Sequence, residues 1–158
     1  MVLLNEPGLS DLDDILDEVE HVFPRALQLI GDSARTGAVL TVVGLDSASP
    51  FEFRTMIGTP APKKRQRYWE LSLEKAKRLL MHPDHNSSFE SRNEAEHKYG
   101  GAIRARTCIV SLSGLPEKWD EAVVLVLASE AFAMNEKDAE LIAKANDNPH
   151  FEELLDEV

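Results

Sequence analysis

The feature that most constrains the fold of this chain is the spacing of its apolar residues, which changes from helical to extended and back. Leu12, Ile15 and Val19 recur at helical spacing on an otherwise acidic segment, which predicts an amphipathic helix. Residues 39–43 form a short, mostly β-branched apolar run, typical of a strand covered on both faces. Residues 51–56 then alternate between two sets of side chains, as a half-buried strand does. Together the two segments predict an antiparallel hairpin.

The whole chain is predicted to follow the order α, α, β, β, α, β, β, α. Pro24 is expected to begin the second helix, because its missing N–H costs nothing in a first helical turn. This order contains no βαβ repeat, so we predict an α+β fold within the wider α/β class, with a mostly antiparallel sheet and helices packed against it. Residues 1–158 are assigned to a single domain, with an acidic N-terminal helix at about 10–22 and an acidic C-terminal tail at about 147–158.

Charge and composition exclude several classes of function. The chain carries 28 acidic and 17 basic residues and a formal net charge of −11, which argues against a general nucleic-acid binder. The longest apolar run, residues 122–128, is too short to cross a membrane. The first residues lack the pattern of a secretory signal, and the single cysteine, Cys108, suits a reducing compartment. We therefore expect a cytoplasmic protein with no membrane and no nucleic-acid partner.

Several short motifs occur in a fixed order along the chain. They are Phe53-Arg54, Tyr68-Trp69 with Lys75, Ser87-Ser88, Gly100-Gly101, and Ser113-Gly114-Leu115 with Asp120. In this order and spacing the sequence resembles the GlcG/HbpS-like haem-binding or haem-degrading domain family, and most closely its uncharacterised bacterial and yeast branch. The resemblance runs from about residue 23 to residue 133. One departure is Tyr99, which stands where that branch usually has a histidine directly before Gly-Gly.

The resemblance implies a profilin-like fold, with a five-stranded antiparallel sheet flanked by helices, and a homo-oligomer. It also implies a small-molecule or haem-type ligand near the subunit contacts. The family has no agreed catalytic residues, so none is assigned here and the catalytic residues stay unknown.

The candidate ligand-binding residues combine this resemblance with residue chemistry. His97 and Tyr99 are of the types that ligate haem iron, although a bend that enters a strand also explains their neighbourhood. The guanidinium groups of strand arginines match carboxylates. The predicted ligand-binding set is Arg54, His97, Tyr99, Gly100, Gly101, Arg104 and Asp120.

Two further clusters are weighed and assigned no site. His82 and His85 are two of the three or four ligands that a metal requires, so no metal site is predicted. The basic segment 63–67 precedes a helix, where cations oppose the helix dipole. It is either a solvated loop or a binding surface for an anionic ligand or for the acidic ends of a neighbouring subunit.

These observations support two hypotheses of function. The first is an oligomeric protein that binds a small ligand, with haem as the first candidate cofactor or substrate for degradation. The alternative is a protein-interaction or scaffold module with no catalytic activity. No nucleophile, acid–base pair or metal shell is evident in the sequence, so an enzymatic role is left open.

Overall fold

The fold was analysed on a computed structural model, which describes residues 7–48 and 50–155. It contains helices on both sides of one sheet and is of the mixed α+β class, as predicted. The helices are α1 (Pro7–Ile30), α2 (Arg65–Leu80), α3 (Glu117–Glu130), α4 (Glu136–Ala145) and α5 (His150–Leu155), and the strands are β1 (Gly37–Gly44), β2 (Glu52–Gly58), β3 (Ala102–Arg104) and β4 (Cys108–Ser113).

The sheet has the order β2-β1-β4-β3, and every neighbouring pair is antiparallel. The predicted hairpin is confirmed, since β1 pairs with β2, and β3 pairs with β4 in the same antiparallel way. In one row across the sheet, Arg54 lies opposite Thr41, Thr41 opposite Ser111, and Ser111 opposite Ala102. This row places polar side chains from three strands on the same face.

The two faces of the sheet are covered by different helices. The main core lies between the sheet and helices α1 and α3, and it includes the fully buried Leu40, Val110 and Leu112. α2 covers the opposite face, where Ala76 and Ile109 belong to a smaller apolar cluster. Because strand side chains alternate between the faces, a single strand supplies both layers.

The predicted break at Pro24 is wrong, because α1 continues through this residue as a single helix of 24 residues. Pro24 is exposed, while Val19, Val22 and Phe23 are at most 2% exposed on the buried face. A proline inside a helix costs about 3 kcal/mol. Burial of a large apolar side chain contributes about 1.5–3 kcal/mol, so the buried stripe on α1 offsets that cost. The acidic helix is therefore much longer than the predicted 10–22.

The sheet has four strands in the described chain, so the expected fifth strand is wrong. At the β3 edge of the sheet, where a fifth strand could pair, one isolated bridge joins Ser87 to Ile103. The Ser87 side chain then caps a 3-10 turn, Ser88–Ser91, in a capping box with Glu90. This local hydrogen bonding turns the chain away from the sheet edge, so no strand is continued there.

The C-terminal segment is more ordered than the tail predicted at about 147–158. Residues 150–155 form α5, which packs on α3. Its Phe151 and Leu154 are at most 1% exposed and belong to the main core. The acidic residues Glu152 and Glu153 point outward on the same helix, so a short amphipathic helix accounts for the charge pattern. Residues 156–158 lie outside the described part.

Candidate functional site

The face of the sheet under α2 is polar at its centre. The Ser72 hydroxyl donates to Thr41 Oγ1 at 2.6 Å, and the Ser111 hydroxyl donates to the Ser72 carbonyl oxygen at 2.7 Å. All three residues are fully buried. Their hydrogen bonds to one another satisfy the buried hydroxyl groups, and they fix the position of α2 on the sheet.

Asp120, a predicted ligand-binding residue, forms a buried ion pair with Lys75. Lys75 Nζ lies 3.1 Å from Asp120 Oδ2 and donates to the Leu112 carbonyl oxygen at 2.8 Å. The side chains of Lys75 and Asp120 are 2% and 3% exposed. Asp120 Oδ1 also accepts a hydrogen bond from the Leu115 N–H at 3.0 Å. The pair therefore connects α2, β4 and the start of α3.

Gly101, another predicted residue, makes room for this ion pair. Its φ is +126°, in the region that favours glycine. A Cβ atom at Gly101 would lie 2.7 Å from Lys75 Nζ, 2.9 Å from the Leu112 carbonyl oxygen and 3.0 Å from Asp120 Cβ. The glycine therefore allows a close approach to other atoms of the same chain.

The Asp120 carboxyl group should give folding stability a specific pH dependence. Burial raises the pKa of Asp120 to about 6 from 3.8, although the Lys75 ammonium group opposes this shift. The folded state then binds the Asp120 proton more tightly than the unfolded state does. Proton binding at Asp120 therefore stabilises the folded state, and this stabilisation is complete below about pH 4 and is lost as pH rises through about 6. We expect wild type to lose about 2–3 kcal/mol relative to Asp120→Asn over this interval, measured by urea unfolding. Parallel pH profiles for the two proteins would contradict the prediction.

Gly100 is engaged by a carboxylate of its own chain. Its N–H donates to Glu117 Oε2 at 2.7 Å, and the Arg92 guanidinium donates to both oxygens of Glu117 at 2.7 and 3.0 Å. Burial alone would raise the pKa of Glu117, but the hydrogen bonds from Arg92 and Gly100 hold it below its usual value. The N–H of Gly100 therefore stabilises the start of α3.

His97 and Tyr99 lie together at the surface. His97 is exposed, has a φ of 58°, and its Nδ1 is 3.2 Å from the Tyr99 hydroxyl. The Tyr99 carbonyl oxygen accepts hydrogen bonds from Arg78 Nη2 at 2.5 Å and from the Ser88 hydroxyl at 3.2 Å. The main chain of Tyr99 is thus part of the packing under α2, while its half-buried side chain meets the exposed His97 ring.

Arg54 and Arg104 lie on opposite edge strands of the sheet, β2 and β3. Arg54 stacks over the ring of Trp69 at 4.6 Å and donates to the Trp69 carbonyl oxygen at 3.0 Å. Arg104 donates to the carbonyl oxygens of His82 and His85, which follow α2 in the chain. The predicted residues therefore do not form one site. Arg54 and Arg104 lie at opposite edges of the sheet, Asp120 and Gly101 lie at the buried ion pair, and His97 and Tyr99 lie at the surface.

Arg104 lines a cleft of about 900 Å³ beside α4. The cleft residues come from four segments, at 86–90, 104–106, 132–135 and 138–146. They include apolar, amide and charged side chains, the mixture that a small organic ligand requires. His97 and Tyr99 are not among the described residues that line it.

A buried carboxylate, Glu121, holds two walls of this cleft together. It is fully buried on α3 and accepts hydrogen bonds from Ser87, from Asn146 at 2.6 Å and from Asn148 at 2.9 Å. Burial raises its pKa, and these three hydrogen bonds oppose the shift. Because Ser87 and Asn146 line the cleft, Glu121 fixes the 86–90 segment relative to the end of α4.

Sequence reasoning missed residues that organise the buried ion pair and the cleft. Lys75 is singled out only by a family motif, and no sequence pattern distinguishes Glu121 or Phe132 from the other residues around the last long helix. The available signal was a lysine on the same face of α2 as Ala76 and Leu79, since a charge on an apolar stripe needs a buried partner.

The remaining candidates are assigned structural roles. Cys108 is buried, and burial raises the pKa of its thiol to about 12, as expected for an inert cysteine. His82 and His85 stack with ring centroids 4.7 Å apart. Within the described residues no three or more His, Cys, Asp or Glu side chains are grouped to hold a metal, and no helix there has the length and apolarity to cross a membrane.

Comparison with known proteins returned no match to any protein family, curated protein or solved structure.

Proposed function

We propose that this protein binds a small organic ligand in the cleft between α4 and the β3–β4 turn. The observation that carries the proposal is the cleft itself, because a volume of about 900 Å³ lies within the usual range for ligand sites. It joins the predicted Arg104 with the apolar Leu141 and Ile142. Apolar area supplies binding energy, and a few polar groups fix the orientation of a ligand.

Three of the other predicted residues support this choice, because they make contacts within the chain away from the cleft. Asp120 is paired with Lys75, Gly101 contacts that pair, and Gly100 donates to Glu117. Each of these groups already has a partner within the chain. Arg104 is also hydrogen-bonded within the chain, to three carbonyl oxygens, but it differs from these groups because it lines the cleft.

Haem is the first ligand to test, since the sequence resemblance proposes it. The cleft contains Arg104 and Arg106, which suit propionate groups, and Met134, whose thioether is a type of haem-iron ligand. An absorbance titration with haem measures this directly. Light scattering on the same samples tests the proposed homo-oligomer.

Filling the cleft should weaken ligand binding without unfolding the protein. Ala145 is exposed at the end of α4 and lines the cleft, so Ala145→Trp adds bulk there without changing charge. With haem and the neutral dye phenylnaphthylamine as probes, we expect saturable binding by wild type and at least about tenfold weaker binding by this variant, a loss of about 1.4 kcal/mol. Leu29→Trp, on the outer side of α1, is the matched control and should bind as wild type does. Equal binding by Ala145→Trp for every probe would contradict the proposal.

A protein-interaction module is the second candidate, and two exposed apolar side chains favour it. Phe132 is 80% exposed and Leu141 is 56% exposed, both at this cleft. A partner protein would bury them. Deleting residues 151–158 is a poor test, because it removes the buried Phe151 and Leu154. Partner capture with the double variant Phe132→Ser, Leu141→Ser is the better one.

A further inference from the structure

We propose that the ligand of this cleft is an amphipathic organic anion, free in solution, whose acidic group binds at Arg104 and Arg106. Its apolar part then lies against Phe132 and Leu141. This inference rests on the proposed small-ligand function and specifies the chemical class of the ligand.

Both arginines line the cleft, and main-chain carbonyl oxygens hold each guanidinium group. Arg104 is oriented by carbonyl oxygens, with Nε 3.0 Å from that of His85 and Nη2 2.7 Å from that of Leu79. Arg106 donates in the same way to the carbonyl oxygens of Phe132 and Ala133. Carbonyl groups orient a guanidinium but do not neutralise it.

Neither arginine forms a salt bridge within the described part of the chain, and neither Nη1 donates to a described acceptor. By contrast, Arg78 and Arg92 each pair with a glutamate at 2.8 Å or less. Two preoriented guanidinium groups on one short turn are suited to a carboxylate, sulfonate or phosphate group.

Two acidic side chains, Glu90 and Asp138, also line the cleft, and they belong to segments other than the one that carries the two arginines. Glu90 accepts hydrogen bonds from the backbone N–H groups of Asn86 at 2.7 Å and Ser87 at 3.0 Å, so it is bound within its own loop. Asp138 lies in the first turn of α4, where the helix dipole stabilises a negative charge. It belongs to a different wall from the arginines, and it disfavours an anion near α4.

The apolar end of the cleft carries an unusual residue. Phe132 has a φ of 59° and is 80% exposed, so it adopts a left-handed conformation and buries little surface in return. This conformation ends α3, because the Ala133 N–H donates to the Ala128 carbonyl oxygen at 2.9 Å, and it leaves the Phe132 ring exposed at the cleft. The Arg106 side chain binds the Phe132 carbonyl oxygen, so the cationic and apolar ends of the cleft are held in a fixed relation.

A pair of dyes with one aromatic skeleton tests the ligand class. Anilinonaphthalene sulfonate is the anion, and phenylnaphthylamine is its neutral counterpart. We expect the folded protein to bind the sulfonate at least about tenfold more tightly than the neutral dye, measured by fluorescence titration at low salt. Raising the salt concentration should weaken the binding of the sulfonate alone.

Charge variants then separate a specific contact from general damage. Arg106 is exposed, and Arg106→Gln should weaken sulfonate binding about tenfold, while Arg106→Lys should restore part of it. Asp138→Asn should strengthen sulfonate binding severalfold, because it removes the opposing charge. Lys77→Gln, an exposed cation on α2, is the matched control. Phenylnaphthylamine binding should change much less than sulfonate binding in the Arg106 and Asp138 variants, and Lys77→Gln should leave the binding of both dyes unchanged.

The outcomes distinguish this inference from the proposed function. If both dyes bind equally, and both lose affinity in Ala145→Trp, the cleft binds ligands but the anion preference is overturned. Sulfonate binding that is insensitive to Arg106→Gln, or weakened by Asp138→Asn, overturns it as well. If neither dye responds to Ala145→Trp, the proposed function itself fails.

Discussion

Replacing Lys75 with methionine is expected to lower the free energy of unfolding by about 3–5 kcal/mol. The substitution keeps most of the length of the side chain but leaves Asp120 as a buried carboxylate without its cation. Removal of one partner from a buried ion pair has this cost because the remaining charge is neither solvated nor paired. The Leu112 carbonyl oxygen loses a donor as well. Urea unfolding followed by circular dichroism measures the effect.

An exposed lysine on the same helix provides the control. Lys77 is exposed on α2, so Lys77→Met should change the free energy of unfolding by no more than about 0.5 kcal/mol. The double variant Lys75→Met, Asp120→Asn removes both charges but keeps an acceptor for the Leu115 N–H, and it should recover part of the loss. A Lys75→Met protein as stable as Lys77→Met would show that the pair contributes nothing.

Gly101→Ala should destabilise the protein by about 3 kcal/mol or more. An alanine there must adopt a φ of +126°, and its Cβ would lie 2.7 Å from Lys75 Nζ and 2.9 Å from the Leu112 carbonyl oxygen. The backbone strain costs about 1–3 kcal/mol, and displacement of Lys75 weakens the buried pair in addition. Thermal unfolding would show a fall in Tm of about 6–12 °C at this chain length.

The variant Gly31→Ala separates backbone strain from crowding against Lys75 as causes of the destabilisation. Gly31 also has a positive φ, +70°, but a Cβ atom added there would have no other atom within 4 Å. It should cost only about 1 kcal/mol, which is the conformational effect alone. If crowding against Lys75 is the second cause, Gly101→Ala and Lys75→Met should be less than additive in the double variant. Equal costs at Gly31 and Gly101 would refute the crowding argument.

Those parts of the fold that depend on local pattern were predictable from the sequence. The apolar run at 39–43 lies in β1, and the alternating segment 51–56 lies in β2 from residue 52 onward. The helix that closes the predicted order is observed as α3. In these segments the period of the apolar residues and the tertiary structure agree, so a local rule is sufficient.

The errors occur where nonlocal packing outweighs a local preference. Pro24 favours a helix start, but the buried stripe on both sides of it keeps α1 continuous. A fifth strand was expected from the resemblance, but the Ser87–Glu90 capping box bends the chain at the sheet edge. The terminal acidic residues suggested a tail, and Phe151 and Leu154 alone were too few to predict a packed helix.

The site was less predictable than the fold because its residues are far apart in sequence. The cleft joins the 86–90 segment to α4, whose last residue is Ala145, and the topology that brings them together has no signature in either segment. Arg104 was identified by residue type and strand position, and it does line the cleft. Phe132 could not be identified, since its left-handed backbone is visible only in three dimensions.

The buried ion pair also constrains how this sequence can change over generations. Loss of Lys75 alone or of Asp120 alone leaves an unpaired buried group, so each single change passes through an unstable protein. Gly101 is part of the same constraint, because a side chain there contacts both partners. In descendants of this chain we expect the lysine, the aspartate and the glycine to be inherited as a unit. A lineage that replaces one of them should show compensating changes at the other two.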